Sequence, residues 1–363
     1  IQTMGFKLAI NPSKIENIED TFNKLKQVLI DLDYNKFKIK ADKKSDPYEE
    51  IANRISKEDA DKISVQKISG VSIYKEKWRF YPGGPLASHT LGFVGFNGDL
   101  LEGRYGIERQ YNKVLSLDEN SPYVNFFAEV FSNINKKISR TEEEDGDLII
   151  TIEPLVQGFL EKKLVEVKNK YSIDSIGGII MNPQDGAIYA MTVKPDFDPN
   201  NFSNISNVKL FSNPITENVF EFGSVIKPLV MASALDAEVL NANTRYNDTG
   251  SVVVENKIIS NFDKKGRGPG TSMQDVLNQS LNTGMVFVYQ HLGKEKFREY
   301  LLSYGIGEKT GIDLPNEVKG LISNLKSPRD LEYANASFGQ GIAMTPIAIT
   351  RALASLGNGG ILV

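Results

Sequence analysis

Lysine and arginine number 42 and aspartate and glutamate 46 in a chain of 363 residues, so the net charge is −4 and no basic footprint for nucleic acid is expected. Cysteine is absent, and the two histidines, His89 and His291, lie far apart and outside any metal-spaced cluster, which excludes disulfides and thiolate chemistry and argues against a zinc centre. The length calls for two domains, and no apolar run reaches the span of a bilayer, the most apolar stretch, residues 223–235, being interrupted by Lys227.

In chain order, Phe22, Leu25, Val28, Leu29 and Leu32 recur at helical spacing, and Ser56-Lys57-Glu58-Asp59 opens a second helix with a pattern close to a capping box. Between Trp78 and Val94 the run Tyr81-Pro82-Gly83-Gly84-Pro85 indicates turns. The first third therefore reads as α+β. Residues 136–147 are a charged stretch suited to a boundary, so residues 1–145 and 146–363 are expected to be separate domains. A strand is expected at residues 148–152. Pro154 then opens a helix whose Val156, Phe159, Leu160, Leu164 and Val167 share an apolar face. Residues 177–181 and 187–193 flank Asn182-Pro183-Gln184-Asp185-Gly186, a tight reversal, and are expected to form a hairpin. Beyond it the segments read mainly as helices, with a capping pattern at Ser272-Met273-Gln274-Asp275 and a helix opened by Thr345-Pro346 that Gly357 can close.

With histidine scarce and no GxSxG elbow, a serine nucleophile needs another base. Lysine serves when burial keeps its amine partly neutral, and that logic points to Ser-x-x-Lys. The spacing occurs at Ser64/Lys67, Ser72/Lys75, Ser206/Lys209, Ser224/Lys227 and Ser323/Lys326. Ser224 stands apart because Gly223 precedes it and Val225, Ile226, Leu229, Val230 and Leu235 surround it. Pro228 is tolerable only near a helix start, so the helix should begin close to Ser224. A three-residue separation then puts Ser224 and Lys227 on one face. The helix N-terminus favours negative charge on the serine oxygen and disfavours a charged lysine. Taken alone, the tetrad reads more readily as a helix cap at Ser224 and a snorkelling surface residue at Lys227. Ser280-Leu281-Asn282, the only Ser-x-Asn, lies between two amphipathic segments; its hydroxyl and amide could relay a proton and hold a carbonyl, or form an ordinary polar turn.

The order Ser224-Val225-Ile226-Lys227, then Ser280-Leu281-Asn282, resembles the SxxK and SxN motifs of penicillin-binding proteins and serine β-lactamases. Phe220-Glu221-Phe222-Gly223-Ser224 is similar to the family's aromatic-Glu-Pro-Gly-Ser lead-in, with Phe222 where proline is usual. Residues 178–191 resemble its first sheet hairpin, and Ser337-Phe338-Gly339-Gln340-Gly341, Thr345-Pro346 and Asn358-Gly359-Gly360 match its segment beyond SxN. Arg79-Phe80-Tyr81-Pro82-Gly83, His89, Gly92, Glu102-Gly103 and Gly106-Ile107-Glu108 resemble the non-catalytic pedestal of class B enzymes, which β-lactamases lack. The family's third motif, Lys-Thr-Gly on a strand, is expected after Asn358-Gly359-Gly360. Lys309-Thr310-Gly311 precedes that point and runs into Ile312-Asp313-Leu314-Pro315, so it is read as a loop and rejected as catalytic.

The resemblance implies an α+β pedestal domain (residues 1–145) followed by an α/β DD-peptidase/β-lactamase-like transpeptidase domain (residues 146–363), an antiparallel sheet flanked by helices. The chain is expected to be C-terminally incomplete, with a membrane anchor upstream of Ile1 and the catalytic domain outside the cytoplasm. The implied activity is peptidoglycan D,D-transpeptidation through a Ser224 acyl-enzyme, with Lys227 as general base, Ser280 passing protons and Asn282 orienting Lys227 and the substrate amide. The Ser224 N–H would form half of an oxyanion hole. No cofactor or metal is expected. Expected partners are peptidoglycan stem peptides of the lipid-linked precursor and nascent glycan, β-lactams, and a membrane glycosyltransferase, with no nucleic acid. The alternatives are a β-lactam sensor or hydrolase, and a non-catalytic cell-wall scaffold.

Overall fold

The computed structural model describes residues 1–97, 100–115 and 146–363, and its contacts divide the chain into two compact units, Ile1–Gly84 and Pro85–Val363. In the first, strands β1 (Gln2–Ile10), β2 (Glu49–Ile55) and β3 (Val71–Arg79) form an antiparallel sheet in the order β2-β1-β3. Leu8, Ile10 and Ile55 turn one face of it onto Phe22, Leu25, Phe37 and Ile63. Those side chains come from helices α1 (Ile18–Lys26), α2 (Tyr34–Ala41) and α3 (Lys57–Val65), and each is worth about 1.5–3 kcal/mol when withdrawn from water. The caps read from sequence are in place at α3, where Ser56 accepts from the Asp59 N–H at 3.1 Å. The apolar periodicity that runs to Leu32 outlasts the helix. α1 stops at Lys26, and Val28, Leu29 and Leu32 reach the same core from the turns that follow.

The second unit starts at Pro85. The expected boundary at residues 136–147 lies, as far as residue 145, outside the described residues. Residues 85–115 join the second unit through specific bonds: the Ala87 N–H donates to Glu161 Oε1 at 2.9 Å, and a His89 ring nitrogen, Nε2, meets the Leu210 carbonyl at 2.9 Å. His89 is buried edge-on against Phe197. Hairpin β4 (Val94–Asn97) and β5 (Leu100–Gly103) follows. Residues 148–152, expected as a strand, form no ladder among the described residues; Thr151 Oγ1 donates to the Ile188 carbonyl, and the segment leads into helix α4 (Pro154–Tyr171).

α4 begins at Pro154 as expected, but its buried face is not the apolar stripe. Phe159 and Val167 are exposed, whereas Gln157 and Glu161 are buried. Gln157 grips the backbone of Met191 from both ends of its amide (2.9 and 3.1 Å) and donates to Glu161 Oε1 at 2.8 Å; Lys194 Nζ donates to Glu161 Oε2 at 2.9 Å. A polar helix face can be buried because each of these groups has a partner. Leu160 and Leu164 pack over Gly178, where a Cβ would meet Leu160 Cδ1 at 3.1 Å. Strands β6 (Ile176–Met181) and β7 (Ile188–Lys194) are the expected antiparallel hairpin, closed by Gly186 at φ +76°.

The main core surrounds helices α5 (Lys227–Asp236) and α7 (Asn282–Leu292), with Ile226, Leu229, Val230, Met285, Val286 and Val288 fully enclosed. Residues 245–272, expected to be mainly helical, instead hold four short strands. These are β8 (Arg245–Asp248), β9 (Ser251–Val254), β10 (Lys257–Ser260) and β11 (Gly268–Ser272), paired β9 with β10 and β8 with β11. Glu255 and Asn256, both at positive φ, make the two-residue turn between β9 and β10, the backbone twist a tight hairpin needs. Helix α6 (Met273–Asn278) then begins on the expected capping box of Ser272 and Asp275. Helix α8 (Pro346–Ala354) is capped by Thr345.

Candidate active site

Ser224 sits in a single 3-10 turn, Gly223–Ile226, that leads into α5, so the α-helix starts at Lys227 rather than at Ser224. Pro228 falls in the first helical turn, where the missing N–H costs nothing. The turn is held from outside. Gly223 adopts φ +56° and donates to the Gly339 carbonyl at 3.2 Å, Phe220 and Met344 exchange backbone bonds of 2.9 and 3.1 Å, and Glu221 Oε1 accepts from the Gly341 N–H at 3.0 Å. Gly339 is obligatory: at φ +82°, a Cβ there would meet the Gly223 oxygen at 2.1 Å. The segment at residues 337–341 therefore buttresses the turn that carries Ser224. Ser224 itself is exposed.

Lys227 is the opposite, 2% exposed at the first position of α5. Its Nζ donates to the Ser280 carbonyl at 2.7 Å, Ser280 Oγ at 3.0 Å and Asn282 Oδ1 at 2.8 Å. All three acceptors are neutral. With no carboxylate to offset it, burial pushes the amine down to about 8. The N-terminal end of α5 opposes a cation in the same sense.

Ser280 and Asn282 bracket the bend between α6 and α7. Ser280 takes φ +52°, and the fully buried Leu281 anchors the bend beneath it. The bend brings Ser280 Oγ to 2.9 Å from Ser224 Oγ. Among the described residues no hydrogen bond joins Ser224 Oγ to Lys227 Nζ directly; the Ser280 hydroxyl lies between them, bonded to both. Asn282 is fixed at both ends of its amide, because Nδ2 donates to the Ser260 carbonyl at 3.0 Å while Oδ1 accepts from Lys227. The four residues singled out from sequence thus meet in one cluster.

This arrangement can carry a proton in either direction. A protonated Lys227 spends its three hydrogens on the three acceptors, and Ser280 then donates to Ser224. A neutral Lys227 keeps two donors and turns its lone pair to the Ser280 hydroxyl, which can then accept from Ser224. As one of the first residues of a helical segment, Ser224 also presents an N–H with no intrahelical acceptor.

The competing motifs fall elsewhere. Ser72 and Lys75 are on strand β3, where a three-residue separation points side chains to opposite faces, and Ser64 Oγ back-bonds to the Ala60 carbonyl. Thr310 and Gly311 of the Lys-Thr-Gly run wrap the Glu317 carboxylate at 2.6 to 3.0 Å, closing a loop. Two features were missed from sequence. One is the role of Ser260 and its neighbours in holding Asn282; the β-branched run Val252-Val253-Val254, a turn, and Ile258-Ile259 was the signal for that hairpin. The other is Glu221, read only as part of a motif.

The cluster joins an exposed serine to a buried lysine through the Ser280 hydroxyl, with an SxxK turn and an SxN bend facing one another. Residues 176–363 match the family profile of the penicillin-binding protein transpeptidase domain, and residues 2–151 that of the penicillin-binding protein dimerisation domain. The chain belongs to the penicillin-binding protein transpeptidase family. Among curated relatives, it is 32% identical to stage V sporulation protein D of Bacillus subtilis over 85% of this chain and 48% of that protein. It is 25% identical to peptidoglycan D,D-transpeptidase FtsI of Escherichia coli K12 over 86% of this chain and 51% of that protein. The chain spans about half the length of these relatives. The crystal structure of penicillin-binding protein 2X from Streptococcus thermophilus superimposes with a TM-score of 0.76 at 20% identity, covering 99% of this chain and 57% of that one, which establishes the fold.

Proposed function

We propose that the protein is a class B peptidoglycan D,D-transpeptidase that cross-links stem peptides through an acyl-enzyme on Ser224. The observation that carries this reading is the hydrogen-bonded line from the exposed Ser224 hydroxyl through Ser280 to the buried Lys227 amine. Ser224 Oγ attacks the carbonyl between the terminal D-alanines, and its proton passes by way of Ser280 to neutral Lys227. The Ser224 N–H stabilises the oxyanion, a contribution of roughly a few kcal/mol. Collapse of the tetrahedral adduct expels D-alanine, whose nitrogen takes the proton back along the same line. An amine from a second stem peptide then attacks the ester, gives up its proton to the line, and releases Ser224. Asn282 keeps Lys227 aimed at Ser280 throughout.

β-Lactams mimic the D-alanyl-D-alanine unit and acylate the same oxygen. The division of labour belongs to the same proposal: residues 1–145 as pedestal and residues 146–363 as the transpeptidase portion. So do anchorage to the cell membrane with the site on the outer side, and action beside a membrane glycosyltransferase that supplies glycan. No helix among the described residues is long and apolar enough to cross a membrane.

The test is labelling of the intact protein with a fluorescent penicillin followed by denaturing electrophoresis. A single labelled band that Ser224→Ala abolishes is expected. A band that persists in Ser224→Ala would defeat the assignment, and rapid spontaneous loss of the label would favour a β-lactam hydrolase.

A further inference from the structure

The transfer line accounts for Ser224, Lys227, Ser280 and Asn282 but leaves unexplained a carboxylate buried next to it. Asp248, at the end of β8, is 1% exposed. Stripping a carboxylate of water costs several kcal/mol unless donors replace it. Asp248 gathers them from four segments. Oδ1 accepts from the Gly250 N–H (3.0 Å) and the Thr283 hydroxyl (2.8 Å), Oδ2 from the Arg267 N–H (3.0 Å), and the Asn261 amide donates to both oxygens (3.1 and 3.0 Å). No cationic side chain is among these partners; the Arg267 guanidinium turns instead to Asp263 and Gln279.

Two of the donors adjoin the active cluster. Thr283 follows Asn282 in the first turn of α7, and Asn261 follows Ser260, whose carbonyl holds Asn282 Nδ2. Asn261 Oδ1 in turn accepts from the Thr283 N–H at 3.2 Å. The Thr283 hydroxyl faces two acceptors, Asp248 Oδ1 at 2.8 Å and Asn261 Oδ1 at 3.1 Å, and the Tyr246 hydroxyl 3.2 Å away can donate to it when its own proton goes to either of them. The carboxylate thus clamps the start of α7 to the end of β10, holding Asn282 at its backbone, next to Thr283, and at Nδ2, through the Ser260 carbonyl. Loss of the carboxylate would strip the Gly250 and Arg267 N–H groups and the Asn261 amide of an acceptor, so Asp248 holds these segments in one arrangement.

We propose that Asp248 is a positioning residue of the acyl-transfer site, acting through Thr283 and Asn261 to hold Asn282 against Lys227. This rests on the function proposed above. Asp248 reaches neither Ser224 nor the substrate path; its effect is to keep Asn282 Oδ1 at bonding distance from the base. Displacement of about 1 Å at such a point can slow a reaction on the order of a hundredfold.

The experiment measures the limiting rate of acylation by a chromogenic β-lactam and the affinity of the complex that precedes it, in the intact protein. It compares the parent, Asp248→Asn, Thr283→Val, Thr283→Ser and Asn282→Ala, with each rate normalised to the fraction folded. Thr283→Val removes the clamp's hydroxyl with little change of shape, so it keeps the test valid if Asp248→Asn fails to fold. The expected result is a ~10- to 100-fold lower acylation rate in Thr283→Val with unchanged prior affinity, and recovery to within about threefold of the parent in Thr283→Ser. In the Asn282→Ala background, Thr283→Val should cost nothing further. A Thr283→Val rate within about threefold of the parent, or an undiminished cost in the Asn282→Ala background, overturns the proposal while leaving Ser224 chemistry intact. A folded parent that is not acylated overturns the functional reading itself, and this inference with it.

Discussion

Replacement of Ser280 by alanine isolates the step on which the mechanism turns. The Ser280 hydroxyl makes both links of the line, 2.9 Å to Ser224 Oγ and 3.0 Å to Lys227 Nζ, while Lys227 keeps its other two acceptors, the Ser280 carbonyl and Asn282 Oδ1. Ser280→Ala therefore breaks proton transfer and leaves the base in position. Loss of positioned general-base catalysis costs about 10²- to 10⁴-fold, or about 3–5 kcal/mol of barrier. Stability should change little, because the backbone strain at φ +52° is common to serine and alanine. Ser280→Gly sharpens the comparison by removing the hydroxyl and relieving that strain, so this variant should be as stable as the parent or about 1 kcal/mol more so, and just as slow. The assay is stopped-flow acylation by a chromogenic β-lactam alongside thermal unfolding. Acylation in Ser280→Ala within about fivefold of the parent would refute the relay and return the role of direct base to Lys227.

Further expectations follow from the same geometry. Acylation requires neutral Lys227, whose amine burial brings to about 8, so the rate should climb as pH rises through that value and level off above it; a flat profile from mildly acid to alkaline pH would contradict this. Gly339→Ala drives a Cβ into the Gly223 oxygen and should cost at least ~2 kcal/mol in denaturant unfolding, with slower labelling of Ser224; a neutral result would remove residues 337–341 as the buttress. Glu161→Ala strips Lys194 and Gln157 of a buried partner and should destabilise the second unit by about 3 kcal/mol, read by calorimetry, with acylation of the folded fraction unchanged.

What the sequence disclosed and what it hid divide along physical lines. The caps at Ser56 and Ser272 and the β6–β7 reversal are local, written within a few residues, and were legible. The four candidate site residues were singled out by the resemblance of their Ser-x-x-Lys and Ser-x-Asn spacings to family motifs, and the structure brings them into one hydrogen-bonded cluster. Their connectivity was not legible. Spacing on one helix suggested that Ser224 and Lys227 face one another, whereas a 3-10 turn replaces the first helical turn and a hydroxyl 56 residues downstream completes the path. α4 misled for a similar reason: its Val156 to Val167 stripe has helical periodicity, but the partners that bury Gln157 and Glu161 instead are Met191 and Lys194, far along the chain. Strands β8 to β11 were overlooked because each is only four or five residues, too short for alternation to stand out from the helical segments around them.

The most direct measurement is peptide mapping by mass spectrometry after brief exposure of the intact protein to benzylpenicillin. One penicilloyl group on the peptide containing Ser224, absent when Lys227 is replaced by methionine, is the expected result. An adduct at any other residue, or one that forms as fast without the lysine amine, would contradict the central claim that a buried base activates this serine.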